Sequence, residues 1–315
     1  MMDAIEKNKL FFEEEVYNSL RYLSEALGVS FIEKLKINFN WKVFANYFLC
    51  VDALKEKNQK KVKYYLTNAL KHCSDQPGNQ IKRQEPAVLI LNDLTISNET
   101  GKILKAIYDK PDNAVNDDGI YAFGPFLGDE MAEIKKISQA LKVMKALSDY
   151  FYKFVISLIN QIVLVGLTDR GSIKSSSAIK TLGCIILCPN TKTQKSTINQ
   201  YIEDLIHESS HCELFLEQAK DQLVNNPAED LYAAPFREDK RPMAGIYHAN
   251  YVLGNIVTYF SQAVKLSTGD HLKSNHYFLK RALSSYLETY NIVEKQGDLT
   301  QRGYELFRGM REKVA

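Results

Sequence analysis

The chain has 315 residues, of which 45% are hydrophobic and 25% are charged, an ordinary composition for a globular protein with one large domain or two smaller ones. A net charge of +2 implies no partner among nucleic acids or acidic membranes. Five scattered cysteines without a CxxC motif indicate reduced thiols, and the charged start MMDAIEKNKLFFEEE is unlike a signal peptide. We therefore expect a cytoplasmic protein.

The N-terminal part of the chain predicts helices, because apolar residues recur at spacings of three and four from residue 5 to residue 72. Gly28 is placed to cap the first of these helices at its C-terminal end. Loop residues at 109–112 and 116–119 mark a boundary. We therefore divide the chain into a helical N-terminal region, residues 1–115, and a second domain, residues 116–315.

Three short apolar runs in the middle of the chain predict β-strands. The first covers Val88–Leu91, the second is a candidate strand at Ile162–Val165 inside a longer apolar stretch, and the third follows Gly183. The third run, to Cys188, precedes the helix described next. In zinc peptidases an edge strand at such a position binds extended substrate through main-chain hydrogen bonds.

The motif HExxH is formed by His207, Glu208 and His211. In a helix the two histidines lie one above the other, about 6 Å apart at Cβ, which suits two imidazoles on one divalent metal ion. In zinc peptidases the glutamate is the general base that activates metal-bound water. Apolar residues at helical spacing on both sides predict a largely buried helix that ends near Asn225.

These patterns together predict an α+β protein that is predominantly α-helical, with a small β-sheet next to the HExxH helix. After that helix comes a proline-containing loop, and a new helix opens after Pro242. Further helical segments follow, and a short capped helix at Leu299–Phe307 closes the chain.

A catalytic metal ion needs a third protein ligand besides the two motif histidines. The metzincin pattern is absent, because Glu217 stands where that pattern has its third histidine. Glu229 and Glu238 are alternatives of the kind that other zinc peptidases use. We favour His248, which falls on the first turns of a new helix in a segment rich in glycine and alanine.

The region around these residues resembles the HExxH-motif domain found in gene clusters for ribosomally made, modified peptides. In that family a W/F-R-x-D-x-R-P-x-x-G-x-x-H segment follows HExxH, and here the segment from Phe236 to His248 reads FREDKRPMAGIYH. A serine-rich turn before a glycine-containing apolar strand and the sequence LTQRG at Leu299–Gly303 also fit. The resemblance covers residues 150–310.

The resemblance implies a non-haem iron(II), 2-oxoglutarate-dependent oxygenase that hydroxylates a β-carbon of a residue in a precursor peptide. The three histidines would bind iron(II), with open positions for co-substrate and oxygen. The distal carboxylate of 2-oxoglutarate would take a two-point contact from an arginine, with Arg241 the first choice and Arg237 the second. Glu208 would then orient a ligand or a substrate group. We also expect the N-terminal helices to hold a segment of the peptide, because they lie outside the region that the resemblance covers.

Two other functions stay open from the sequence. A zinc metallopeptidase would use Glu208 as its general base and would need no 2-oxoglutarate. A non-catalytic peptide-binding protein with a retained metal site is the third. Two arginines between the ligand histidines favour the oxygenase, because a peptidase has no obvious need for them. The sequence does not fix the oligomeric state.

Overall fold

The structure is a computed structural model that describes residues 2–31, 35–73, 85–108, 123–167, 174–189, 196–235 and 239–314. It is mostly helical with a small sheet, which confirms the predicted class. The chain forms two compact units, Met1–Glu130 with Ile156–Lys195, and Met131–Val155 with Ser196–Ala315. The domain boundary predicted at residue 115 lies among residues 109–122, outside the described part of the chain.

The first helix, α1 (Met2–Leu27), ends at the predicted glycine. Gly28 has a φ of +63°, which a residue with a Cβ rarely adopts. The amide of Gly28 donates to the Glu25 carbonyl at 3.4 Å, and the amide of Val29 donates to the Ser24 carbonyl at 2.9 Å. This pair of bonds satisfies carbonyls that the helix end would otherwise leave unpaired, and it confirms the predicted cap.

The other helices of the first unit are α2 (Trp41–Lys55), α3 (Gln59–His72) and α4 (Glu99–Tyr108). Asparagine side chains accept hydrogen bonds from backbone amides at the starts of α2 and α3. Buried faces of α2 and α4 form one apolar cluster with the sheet, whose members include Trp41, Leu49, Ile103, Leu104, Val163 and Ile186.

The sheet of this unit has the strand order β1-β2-β4-β3. Strands β1 (Ala87–Ile90), β2 (Gln161–Leu164) and β4 (Cys184–Leu187) are parallel, and all three coincide with the predicted apolar runs. Strand β3 (Ser175–Ser176) pairs antiparallel with β4. The expected edge position of the third run is therefore wrong, because β4 has a neighbour on each side. The serine-rich turn supplies the edge strand.

The second unit is built from helices and one two-stranded ribbon. Its helices are α5 (Glu130–Leu147), most of α6 (Asp149–Leu158), α7 (Ile198–Gln218), α8 (Met243–Leu266), α9 (Gly269–Gln296) and α10 (Gln301–Val314). The ribbon pairs β5 (Leu231–Tyr232) with β6 (Arg241–Pro242). Helix α7 contains HExxH, and α8 begins directly after Pro242 as predicted. Among the described residues, no helix is both long and apolar enough to cross a membrane.

Helix α7 ends at Gln218, well before the predicted Asn225. The backbone beyond it pairs with the segment before α10. The amide of Thr300 donates to the Leu223 carbonyl at 3.1 Å, and the amide of Asn225 donates to the Asp298 carbonyl at 2.7 Å. Tertiary hydrogen bonds thus replace the helical bonds that the local sequence would otherwise support.

The LTQRG sequence forms the other half of this junction. The Thr300 hydroxyl accepts a hydrogen bond from the amide of Gly303 at 3.0 Å and caps α10, which runs beyond the predicted residue 307. A Cβ at Gly303 would lie 2.0 Å from the Leu223 carbonyl oxygen, so only glycine permits this approach. Arg302 makes a two-point contact with Glu217 at 2.7 and 2.8 Å. LTQRG therefore fastens the C-terminal end of α7.

Candidate metal centre

Helix α7 is buried along most of its surface. Between Gln200 and Glu217 every residue is buried except His207, His211 and Phe215, which are half-buried. Their spacing of four residues places them in one line along the helix. This line, which we call the α7 stripe, is where the middle of the helix reaches solvent. Two of its three members are the histidines of HExxH.

His211 lies between two other imidazoles. Its Nε2 is 3.2 Å from Nε2 of His207, one turn earlier, and its Nδ1 is 3.2 Å from Nδ1 of His248 on α8. Two nitrogens that are each about 2.1 Å from one ion and 3.2 Å apart subtend roughly 100° at that ion. The first pair therefore has a separation that suits shared binding of one metal ion.

His248 meets the opposite nitrogen of His211, so the three rings do not direct their nitrogens at a single point. Accordingly, the described residues contain no group of three or more His, Cys, Asp or Glu side chains arranged to hold a metal ion. The structure thus brings the three predicted histidines together and shows a ligand-like separation for two of them.

Burial keeps two of these imidazoles neutral. Desolvation, followed by the electrostatic interaction with His207, lowers the pKa of His211 to about 4, and the carboxylate of Glu208 opposes that shift. Desolvation, followed by His211, lowers the pKa of His248 to about 3. Metal ions bind the neutral imidazole. At neutral pH both rings are therefore in the form that can act as a ligand.

Glu208 is only 2% exposed and is rotated about 100° from His207 around the helix. Its effect on the pKa of His211 shows that its charge lies near that ring. Of the alternative third ligands, Glu229 is exposed in the turn before β5, and Glu238 lies outside the described residues.

Arg241 lies in β6, directly before α8. Its side chain is 10% exposed, and its Nε is 3.0 Å from Oδ2 of Asp239, whose side chain is 53% exposed. A buried guanidinium with a solvent-facing carboxylate partner is suited to exchange that partner for the carboxylate of a ligand. Arg237, the second choice, lies outside the described residues.

Two polar contacts between α7 and α8 were not predicted from the sequence. The Tyr251 hydroxyl donates to Oε2 of Glu213 at 2.6 Å, and Nδ2 of Asn255 donates to Oγ of Ser210 at 3.0 Å. All four residues are buried. These bonds fix α8 lengthwise against α7, and they therefore set where His248 stands relative to the α7 stripe.

Comparison of the sequence with known proteins identifies no relative. No protein-family model matches it, and no curated protein is significantly similar to it. The resemblance to the HExxH-motif domain accordingly depends on the motif residues alone.

Proposed function

We propose that the protein is a non-haem iron(II), 2-oxoglutarate-dependent oxygenase that hydroxylates a β-carbon of a residue in a ribosomally made precursor peptide. The observation that supports it best is the meeting of three imidazoles in the second unit. Two come from HExxH on the half-buried α7 stripe, and the third comes from α8. A set of three imidazoles leaves coordination positions open for a co-substrate and oxygen.

In this proposal His207, His211 and His248 hold iron(II), which with 2-oxoglutarate supplies the oxidising chemistry. The neutral state of His211 and His248 means that metal binding displaces no proton from them at neutral pH. Glu208 is buried on the same helix, and its carboxylate acts to raise the pKa of His211, so its charge would favour a cation at that ring.

Arg241 is the proposed partner of the distal carboxylate of 2-oxoglutarate. Its low exposure strengthens a charge-assisted pair, and its planar guanidinium can make two parallel hydrogen bonds to a carboxylate. Binding of the co-substrate would replace Asp239, whose exposed carboxylate returns to water at little cost. Recognition of the precursor peptide is assigned to the N-terminal helices α1, α2 and α3.

The decisive experiment measures co-substrate consumption by protein that was purified without oxygen and loaded with iron(II). An oxygenase should release succinate from 2-oxoglutarate in an oxygen-dependent way and should add one oxygen atom to a precursor peptide encoded beside its gene. Cleavage of that peptide by the zinc form, without 2-oxoglutarate or oxygen, would instead establish the peptidase.

Arg241→Ala should weaken binding of 2-oxoglutarate by about 2–5 kcal/mol, which is a ~30- to several-thousand-fold effect, with the metal still bound. Arg241→Lys should also be impaired, because an ammonium cannot make the planar two-point contact. Asp239→Asn is the matched control. It removes the competing carboxylate and should leave binding unchanged or tighter. Equal 2-oxoglutarate affinity in the native protein and Arg241→Ala would exclude this role for Arg241.

The zinc metallopeptidase is retained as the second candidate because Glu208 lies near His211 in a complete HExxH motif. The two functions differ in what Glu208→Gln should do. A peptidase would lose its general base and nearly all activity. An oxygenase would keep metal-dependent succinate release, since no proton transfer through Glu208 is required.

A further inference from the structure

Strand β1 lies at one edge of the sheet in the first unit. Among the described residues it pairs with β2 only, and the strand at the opposite edge, β3, has just two residues. The amides of Ala87 and Leu91 donate to carbonyl groups of the segment 160–164, each at 3.0 Å. Because the backbone groups of a strand alternate between its two sides, those of Val88 and Ile90 face away from β2.

Three main-chain groups on this outer edge have no hydrogen-bond partner within the described part of the chain. They are the Val88 amide, the Val88 carbonyl and the Ile90 amide. The Ile90 carbonyl accepts a hydrogen bond from the Thr95 hydroxyl at 2.8 Å, which closes the edge at that end. Pro86, which has no amide hydrogen, precedes the strand. The three groups therefore form a short ladder between Pro86 and Thr95, with the spacing of an extended chain.

The sequence of β1 does not protect this edge. Native proteins usually cover an edge strand or place charged side chains on it, whereas β1 reads Ala-Val-Leu-Ile. Ala87 is exposed, and Val88 and Leu89 are half-buried. Leu89 packs against the apolar cluster of α2, α4 and the sheet, so that cluster anchors the strand. A preformed, accessible edge of this kind can add an extended segment as a further strand.

We propose that the outer edge of β1 binds an extended peptide segment as a fifth strand of the sheet, through the Val88 amide, the Val88 carbonyl and the Ile90 amide. The inference deepens the proposed function and rests on it only for the identity of the peptide. The precursor peptide would pair with β1 by its main chain, in addition to its contacts with the N-terminal helices.

The size of the edge favours a peptide over a second copy of this chain. A strand of four residues spans only about 13 Å, whereas a stable interface between two proteins buries roughly 1,200–2,000 Å². A single extended peptide needs no such area, because main-chain hydrogen bonds supply affinity and neighbouring side chains supply specificity.

Amide hydrogen exchange, followed by NMR on the isotope-labelled protein, tests the pairing residue by residue. The probe is the acetylated, amidated peptide Lys-Thr-Val-Thr-Val-Thr-Lys, whose alternating β-branched residues favour an extended chain. This peptide should slow the exchange of the Val88 and Ile90 amides roughly 10-fold or more. The Leu89 amide faces β2 and should exchange at its native rate. The same peptide with N-methylated valines and threonines cannot form a β-ladder and should protect neither amide.

Val88→Pro removes the central donor of the edge. Proline is tolerated in an edge strand where the amide faces outward, so the pairing with β2 should persist. Val88→Thr is the matched control, because it keeps the amide and a β-branched side chain. Val88→Pro should weaken peptide binding roughly 10-fold or more, and Val88→Thr should bind within about 2-fold of the native protein. If Val88→Pro failed to fold, the exchange rates of the native protein with the two peptides would decide.

Native affinity in Val88→Pro, or equal protection by the N-methylated peptide, would overturn the β1 site. Protection of both amides without peptide, together with a doubled mass in sedimentation, would overturn it in favour of a second copy of the chain. Peptide pairing requires neither a metal ion nor 2-oxoglutarate. Protein that pairs with peptide at β1 but releases no succinate would therefore retain this inference and lose the proposed function, and succinate release without protection at β1 would do the reverse.

Discussion

The hydrogen bond between Tyr251 and Glu213 stabilises the packing of α8 against α7. In Tyr251→Phe the Glu213 side chain, in a residue only 6% exposed, loses the one hydrogen-bond donor that the described residues give it. A hydrogen bond to a charged group contributes about 1.5–3 kcal/mol, and a buried acceptor left unpaired retains its desolvation cost. We therefore expect the free energy of unfolding to fall by about 2 kcal/mol at pH 7.

The loss of stability in Tyr251→Phe should become smaller as the pH falls. Burial raises the pKa of Glu213, and the Tyr251 hydroxyl partly opposes that shift because it favours the carboxylate. Removing the hydroxyl therefore raises the folded-state pKa further. At low pH the carboxyl is protonated in either protein and needs no such donor. The native protein and Tyr251→Phe should therefore converge in stability as the pH falls through the folded-state pKa values of Glu213.

Urea unfolding followed by far-ultraviolet circular dichroism measures the loss, and Tyr259→Phe is the matched control on the same helix. The Tyr259 hydroxyl is buried and has no hydrogen-bond partner among the described residues. Its removal should change the free energy of unfolding by less than ~0.5 kcal/mol, or increase it. Trp41, the only tryptophan, lies in the first unit, so its fluorescence reports that unit separately. If Tyr251→Phe and Tyr259→Phe lowered the free energy of unfolding equally, the hydrogen bond to Glu213 would not be the source of the loss.

Two further predictions concern the junction at the end of α7 and the histidine cluster. Gly303→Ala should lower the free energy of unfolding by about 1–3 kcal/mol, because the added Cβ meets the Leu223 carbonyl. The control Gly309→Ala places a Cβ with no atom within 4 Å and should stabilise α10 by up to ~1 kcal/mol. Thermal unfolding measures both changes. For the chelator-treated protein, the lowered pKa values of His211 and His248 predict that stability falls as the pH drops from about 6.5 toward 4, because the unfolded chain takes up protons that the folded chain does not. This decrease in stability should be smaller in His248→Phe. If stability depended on pH equally in both proteins, His248 would not be a source of the effect.

Much of the fold could be predicted because local signals and tertiary contacts agree there. Gly28 ends α1, Pro242 precedes α8, and the three apolar runs form strands. The parallel pairing of β1 with β2 joins residues about seventy positions apart, and no local pattern encodes it. The true end of α7 was missed for a similar reason. The hydrogen bonds that stop it come from residues 298–300, far along the chain.

In the candidate site, too, local spacing predicts part of the arrangement and contacts distant in sequence determine the rest. His207 and His211 could be paired from their spacing alone, whereas His248 was chosen from its context and is brought to them by the packing of α8 on α7. Phe215 is one of the apolar residues after the motif that predict a buried helix. Its position eight residues after His207 is a signal that could have placed it on the α7 stripe, because it continues the line of the two histidines. Nothing local identifies Tyr251 as the partner of Glu213.

The polar residues buried around α7 have a consequence for how this protein can change. Tyr201, Glu203, Glu213 and Glu217 contact side chains from four different helices: Glu133 of α5, Arg281 of α9, Tyr251 of α8 and Arg302 of α10. A substitution at Tyr201 or Glu213 removes this contact from a buried partner, Glu133 or Tyr251. A substitution at Glu203 or Glu217 breaks an ion pair with a partly exposed arginine, and mutational tolerance along this helix should therefore be low. By contrast, the α7 stripe at positions 207, 211 and 215 is half-buried and reaches solvent. Substitutions on the α7 stripe should therefore cost the scaffold less than substitutions on the buried faces of the helix.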